Sequence, residues 1–187
     1  MEFKKVTLED YKDEIYHIRQ KVFIEEQECP EDANGLMRNN DVLKQLHSLS
    51  ESNPVACIRI RKMGESLLKL ERVAVLKKFR RRGIASKLIR KAIEDFQLTD
   101  PDCSLYAYAQ VTAIQTYVSL GFVILSDEWF DEGSRLMHQT IFWSTPHSRA
   151  VFLKNESENQ STNEENKYEE YEIHHPEVVE KIRKLHI

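Results

Sequence analysis

The stretch from Leu70 to Ala85 narrows the possible folds more than any other part of the chain. Leu70-Glu71-Arg72-Val73-Ala74-Val75 has the apolar, β-branched character of a strand, Leu76 to Phe79 form a short basic loop, and Arg80-Arg81-Arg82-Gly83-Ile84-Ala85 open a helix. That helix is marked by Ile84, Leu88, Ile89, Ala92, Ile93 and Phe96, which share one face at helical spacing, and Asp100-Pro101-Asp102 stops it. A strand, a basic loop and a glycine at a helix start make an anion-binding device. The first N–H groups of a helix lack intrahelical acceptors, the helix dipole favours negative charge there, and glycine lets the backbone approach a ligand closely. Arginine side chains add charge. A run of three arginines by itself is more simply a solvated surface loop; the flanking strand and the striped helix are what favour the binding reading.

The other elements follow from period and punctuation. Phe3 to Val6 is predicted as a strand, and Thr7 with Asp10 resembles a capping box for a helix in which Tyr11, Ile15, Ile18 and Val22 share a face and which ends near Gln27. Cys29 to Asp41, with Pro30, Asn34 and Gly35, is expected to be an exposed loop able to wall a pocket. Lys44 to Ser50, Val55 to Lys62 and Leu67 to Val75 suit an antiparallel meander. Leu105 to Ala109 is the next strand, Thr112 is placed to cap a short helix that Gly121 ends, and Phe122 to Leu125 and Leu136 to Trp143 are the last strands. The predicted order is β-α-β-β-β-α-β-α-β-β, an α/β chain.

A length of 187 residues gives room for one such domain and a tail. Against 31 acidic residues the 27 Lys and Arg leave a net charge of -4, so there is no electrostatic footprint for nucleic acid. The three cysteines, Cys29, Cys57 and Cys103, are odd in number and lack metal-ligand spacing, which predicts reduced thiols and no metal. With no apolar signal core and no run long enough to span a bilayer, a cytoplasmic or nuclear protein with no membrane partner is expected. Lys154 to Glu172 hold scarcely an aliphatic residue, so the chain divides into a folded domain over 1–153, an acidic low-complexity linker over 154–172 and an amphipathic helix over 173–187 built on Val178, Val179, Ile182 and Leu185.

Arg80-Arg81-Arg82-Gly83-Ile84-Ala85 resembles the acetyl-CoA motif of the GNAT (Gcn5-related N-acetyltransferase) superfamily, and Ala113-Ile114-Gln115-Thr116-Tyr117-Val118-Ser119-Leu120-Gly121-Phe122 is similar to its Ala-x-x-x-Tyr-x-x-x-Gly-Phe segment. The resemblance implies the GNAT fold: a central, mostly antiparallel mixed sheet flanked by helices. It implies that Val73, Ala74 and Val75 pair with the pantetheine arm, that Arg80, Arg81, Arg82, Gly83, Ile84 and Ala85 hold the pyrophosphate, and that Tyr117 is the general acid toward the departing thiolate. Against that last role stands a tyrosine packed in the core with its hydroxyl tied to backbone. Glu71 is a candidate base, although it can equally pair with Arg72 or face solvent, and His47 and His138 are rivals because imidazole titrates near working pH.

Val22-Phe23-Ile24-Glu25-Glu26-Gln27 followed by Pro30, Asp41 and His47, and Phe130-Asp131-Glu132-Gly133 followed by His138, resemble the ElaA-like branch, so the likeness extends over residues 3 to 143. That branch implies that Glu26, Gln27, His47 and His138 face the acceptor. Where Glu71 stands the branch has a small residue; Glu71-Arg72-Val73-Ala74-Val75 is more similar to the Glu-Asp-Val-Val-Val run of eukaryotic glucosamine-phosphate N-acetyltransferases.

The expected activity is direct transfer of acetyl from acetyl-CoA to a primary amine of a small metabolite in a ternary complex. Glucosamine 6-phosphate is the first acceptor to consider, with Arg19, Lys21 and Arg72 as phosphate contacts. A polyamine or a protein amine is the alternative, and Glu25, Glu26, Glu28, Glu31 and Asp32 favour a cationic acceptor if they line the pocket. A non-catalytic coenzyme-A-binding module with a docking tail is the remaining reading, and a homodimer is one arrangement to look for.

Overall fold

The computed structural model describes residues 2–6, 10–30, 43–50, 53–126, 129–131, 136–161, 173 and 175–185. The chain runs β1 (Glu2–Val6), α1 (Lys12–Arg19) continuing as a π-helical turn over Gln20–Glu26, β2 (Leu43–Ser50), β3 (Asn53–Lys62), β4 (Leu67–Val75), α2 (Ile84–Thr99) and β5 (Ser104–Gln110). Then come α3 (Ile114–Val118), β6 (Val123–Ile124), β7 (Phe130–Asp131), β8 (Met137–Trp143), α4 (Pro146–Ser161) and α5 (Pro176–Arg183). The strands form one sheet in the order β1-β2-β3-β4-β5-β8-β6, with β7 pairing β8. Among the pairings described, β4 with β5 is parallel and the others are antiparallel. The parallel contact is made possible by α2, whose length supplies the crossover.

Alternation along the strands builds a core on each face. Ile58, Ile60, Leu68, Leu70, Leu105, Ala107 and Ile141 point to one side and meet the α2 stripe of Ile84, Leu88, Ile89, Ala92, Ile93 and Phe96. On the other side α1 packs Ile15, Ile18, Val22 and Phe23 over Cys57 and Ala74. Beyond it on that side, Phe152 of α4 and Val178 and Ile182 of α5 close over Leu67, Tyr106, Leu125 and Phe142. Burying a Val, Ile or Phe stabilises by roughly 1.5–3 kcal/mol each.

The predicted mixed α/β sheet and the order of its predicted elements are found, with additions at the C-terminal end. The two-residue strand β7 and helix α4 carry no sequence period strong enough to mark them. Helix α4 runs to Ser161, so the expected linker start at Lys154 falls inside it: Asn155 donates to Ser66 Oγ at 2.9 Å and Glu156 is buried. Thr112 does not cap α3. It sits in a 3-10 turn over Val111–Ala113, and no side-chain bond caps the helix. Gly121 does end that helix at φ 89°. The proposed cap at Thr7, most of the loop to Asp41 and the stretch 162–172 lie outside the described residues.

Candidate active site

Strands β4 and β5 pair only from Leu67 opposite Ser104 to Lys69 opposite Tyr106. Past that point β4 follows β3 with a shift in register: Arg59 faces Glu71 but Cys57 faces Ala74, so one residue of β3 stands against Arg72 and Val73. This is a β-bulge, and within it Arg72 takes a left-handed φ of 57°. A bulge bends its strand, and the two parallel strands part around a cavity of about 640 Å³. Glu71, Arg72, Val73 and Val75 line it from β4, Tyr108 and Gln110 from β5, and Tyr117 from α3. Gln110 Nε2 donates to Gln27 Oε1 at 3.2 Å across the gap.

At one end of the cavity the chain turns from β4 into α2. Arg81 and Gly83 both have positive φ, 60° and 71°, and the helix N-cap at Gly83 makes no side-chain bond. The first N–H groups of a helix lack intrahelical acceptors, so a backbone turned in this way just ahead of α2 leaves them facing outward at the end of the cavity, where an anion can be held. A Cβ placed on Gly83 would meet nothing within 4 Å, so space for a ligand lies there. Arg80 is spoken for by the protein: its Nε donates to Val75 O at 2.9 Å, and Nη1 and Nη2 hold Glu26 Oε1 and Oε2 at 2.5 and 2.8 Å. This bidentate pair ties the end of the π-helical turn to the loop that leads into α2. Arg82 lies outside the cavity, donating to Lys78 O at 3.2 Å with its guanidinium over Phe79.

Tyr117 is 6% exposed, stacks edge-to-face on Phe122 at 5.4 Å and lines the cavity. Burial pushes its phenol well above the usual range, so the hydroxyl stays protonated at any working pH. Glu71 is enclosed by cations: Arg59 Nε at 2.6 Å, Arg61 Nε at 3.3 Å and Lys69 Nζ at 3.9 Å. Burial would raise its pKa, but Arg59, Lys69, Arg61 and Arg72 outweigh that and hold it below the usual carboxylate range. His138, on β8 opposite Phe130 and Gln110, is buried and lines the same cavity.

Of the residues expected at the site, the cavity therefore gathers Glu71, Arg72, Val73, Val75, Arg80, Arg81, Gly83, Ile84, Ala85, Tyr117, Gln27 and His138. Ala74 packs instead against α1, because strand alternation turns it away from its neighbours. Glu26 is held by Arg80 rather than lining the cavity. His47 lies on β2 opposite Cys57, and its side chain is outside the described residues. The expected phosphate contacts Arg19 and Lys21 do not line the cavity: Arg19 is fully enclosed, and Lys21 pairs with Glu25 at 2.6 Å. Glu25, Glu26 and Glu28 are not among the lining residues either, while Glu31 and Asp32 are outside the described residues. Lys69 and Tyr108 line the site and were not anticipated. Lys69 stands two positions before Glu71 in β4, and that spacing puts both on one face.

Known proteins share this architecture. The family model described as an acetyltransferase (GNAT) domain matches residues 7–141. The Bacillus subtilis protein YyaT is 32% identical over 136 residues, 71% of this chain and 90% of its own. The crystal structure of Escherichia coli ElaA superposes with a TM-score of 0.66 at 23% identity, covering 77% of this chain and 100% of its own. The PaiA N-acetyltransferase of Thermoplasma acidophilum, solved in complex with coenzyme A, gives 0.55 at 15% identity over 77% of this chain and 98% of its own.

Proposed function

This chain belongs to the GNAT acetyltransferase family, and from that premise we propose that it moves an acetyl group from acetyl-CoA directly onto a primary amine of a small metabolite, with both substrates bound at once in the cavity between β4 and β5. The observation that carries the reading is the parting of those strands at the Arg72 bulge, which leaves a β4 edge facing a cavity that ends in an anion-binding helix start.

The residues fit the cosubstrate. Val73 and Val75 offer backbone to an extended pantetheine arm, and Arg81, Gly83 and the first N–H groups of α2 suit a pyrophosphate. Acetyl-CoA supplies the activated thioester. In this reading Tyr117 donates its proton to the departing sulfur, and its burial keeps it in the donating form. Glu71 is a poor proton acceptor, because the cations that stabilise its charge lower its affinity for a proton. We assign to it the holding of that cluster, and to His138 the uptake of the proton from the acceptor.

Among small amines glucosamine 6-phosphate is the first acceptor to try, now on Arg72 alone, since Arg19 and Lys21 lie away from the cavity. The catalytic part of the reading is tested at Tyr117. Tyr117→Phe keeps the ring and removes the hydroxyl, and should lower kcat roughly ten- to a thousand-fold with acetyl-CoA affinity little changed. A kcat within twofold of the parent would remove the acid assignment.

A further inference from the structure

Beyond their short pairing, β4 and β5 are each secured on the side away from the other. Leu76 N, next after β4, donates to Val55 O of β3 at 3.0 Å, and Gln110, the last residue of β5, stands opposite His138 of β8. Across the gap they are joined through two consecutive residues at the end of the π-helical turn, each of which takes one strand. Glu26 holds Arg80 through Nη1 and Nη2 at 2.5 and 2.8 Å, and the same guanidinium donates from Nε to the O of Val75, the last residue of β4, at 2.9 Å. Gln27 meets the carboxamide of Gln110 in both directions, accepting from its Nε2 at 3.2 Å and donating to its Oε1 at 3.5 Å. A line of bonded groups therefore runs from the end of one parted strand to the end of the other. Its middle is anchored, because Val22 and Phe23 of the same turn are buried with Cys57 of β3 and Ala74 of β4, and Cys29 N closes on Phe23 O at 2.9 Å. Arg80, Gln27 and Gln110 all line the cavity. A π-helical stretch is rare and is found frequently at functional sites, and this one delivers Glu26 and Gln27 to opposite walls.

We propose that Glu26 and Gln27 are positioning residues for the cosubstrate: with Arg80 and Gln110 they form a brace that holds β4 and β5 apart at the width an extended pantetheine arm needs. This rests on the acetyl-transfer reading above. An arm that lies between two strands requires them to stand about two interstrand spacings apart, each about 4.8 Å. A gap held at that width before the arm arrives spares binding the cost of ordering it. The brace acts through geometry rather than charge. With side chains 35% and 29% exposed, Arg80 and Glu26 are a screened ion pair of small intrinsic value. The planar fork of the arginine, however, reaches two carboxylate oxygens and a backbone oxygen at once, which an ammonium on a flexible stem does not do in fixed geometry. The bonds also lie in series, so one break at any point frees the two strand ends from each other.

The test is calorimetric binding of coenzyme A to the full-length protein and its variants, with thermal melting to establish that each is folded. Glu26→Gln, Arg80→Lys, Gln27→Leu and Gln110→Leu should each weaken binding roughly tenfold. Gln110→Leu is the most telling, because Gln110 belongs to β5 and not to the turn into α2 where a pyrophosphate would lie. Gln27→Glu, which can still accept the 3.2 Å bond from Gln110 Nε2, should keep the parent affinity within about threefold. For bonds in series, Glu26→Gln combined with Gln110→Leu should bind as the weaker single variant does, within about twofold. A parent protein that binds coenzyme A but transfers no acetyl group would count against the acetyl-transfer reading and leave the brace standing, whereas a parent that binds no coenzyme A would remove both. Coenzyme A affinity unchanged in Glu26→Gln and in Gln110→Leu, losses that multiply in the double variant, or a loss confined to binding of glucosamine 6-phosphate by the coenzyme-A-loaded protein would overturn the proposal.

Discussion

Burial alone would raise the proton affinity of a phenol and of a carboxyl alike, and at Tyr117 nothing opposes it, whereas at Glu71 a set of cations reverses the sign. The reversal has a consequence for stability. With a folded pKa below the unfolded one, the unfolded chain binds more protons between the two values, so stability rises with pH there. The contribution of Glu71 is present above the ordinary carboxylate range, about pH 4–5, and is lost as pH falls through its lower folded value. Glu71→Gln takes away the carboxylate that Arg59, Arg61 and Lys69 share and should cost about 3–5 kcal/mol at neutral pH. It should also flatten the acid limb of the melting temperature between pH 5 and 3; an acid limb identical to the parent's would contradict the account. At this scale the sequence was informative about types and poor about partners. Gly83 was singled out by the strand, basic loop and striped helix around it and Tyr117 by the resemblance of its segment to the GNAT pattern, and both line the cavity, but nothing local told that Glu26 would be tied up by Arg80, 54 positions away, or that Arg19 would be enclosed.

At the scale of elements, the turn into α2 and the parted strands frame the cavity. Gly83 at φ 71° opens α2 next to open space, so Gly83→Val both strains the backbone and puts a branched side chain where a phosphate would lie. Coenzyme A affinity should fall roughly ten- to a hundred-fold by calorimetry, with helix content unchanged by circular dichroism. Equal affinity in a folded variant would move the pyrophosphate away from this turn. Helix α2 was legible because its apolar stripe has a helical period, and β3 and β4 because their runs are bounded by turn residues. The bulge at Arg72 was not, since it arises from register between two strands and leaves no mark in either one alone. Helix α4 escaped notice because its polar residues show no apolar face, and it is held by Phe152 and by bonds such as Asn155 to Ser66.

For the molecule as a whole, the C-terminal segment is part of the fold. Ile173, Val178, Val179 and Ile182 are buried, Lys181 Nζ donates to Leu125 O at 2.8 Å and Arg149 Nη1 to Leu185 O at 2.8 Å. Deleting residues 173–187 strips that cover from Leu67, Tyr106 and Phe142, and should lower the melting temperature by roughly 10 °C or more. An unchanged melting temperature would show the segment to be an appendage. The amphipathic spacing of Val178, Val179 and Ile182 predicted a docking helix from sequence, but not its target, because the surface it covers is assembled from β4, β5 and β8. The central claim, that the cavity between β4 and β5 brings acetyl-CoA and an amine together for direct transfer, is tested most directly by initial rates of coenzyme A release with both substrates varied, alongside mass analysis of the products. The account predicts intersecting double-reciprocal lines, an N-acetylated amine and no acetylated protein intermediate; parallel lines with an acetyl group found on the protein before amine is added would contradict it.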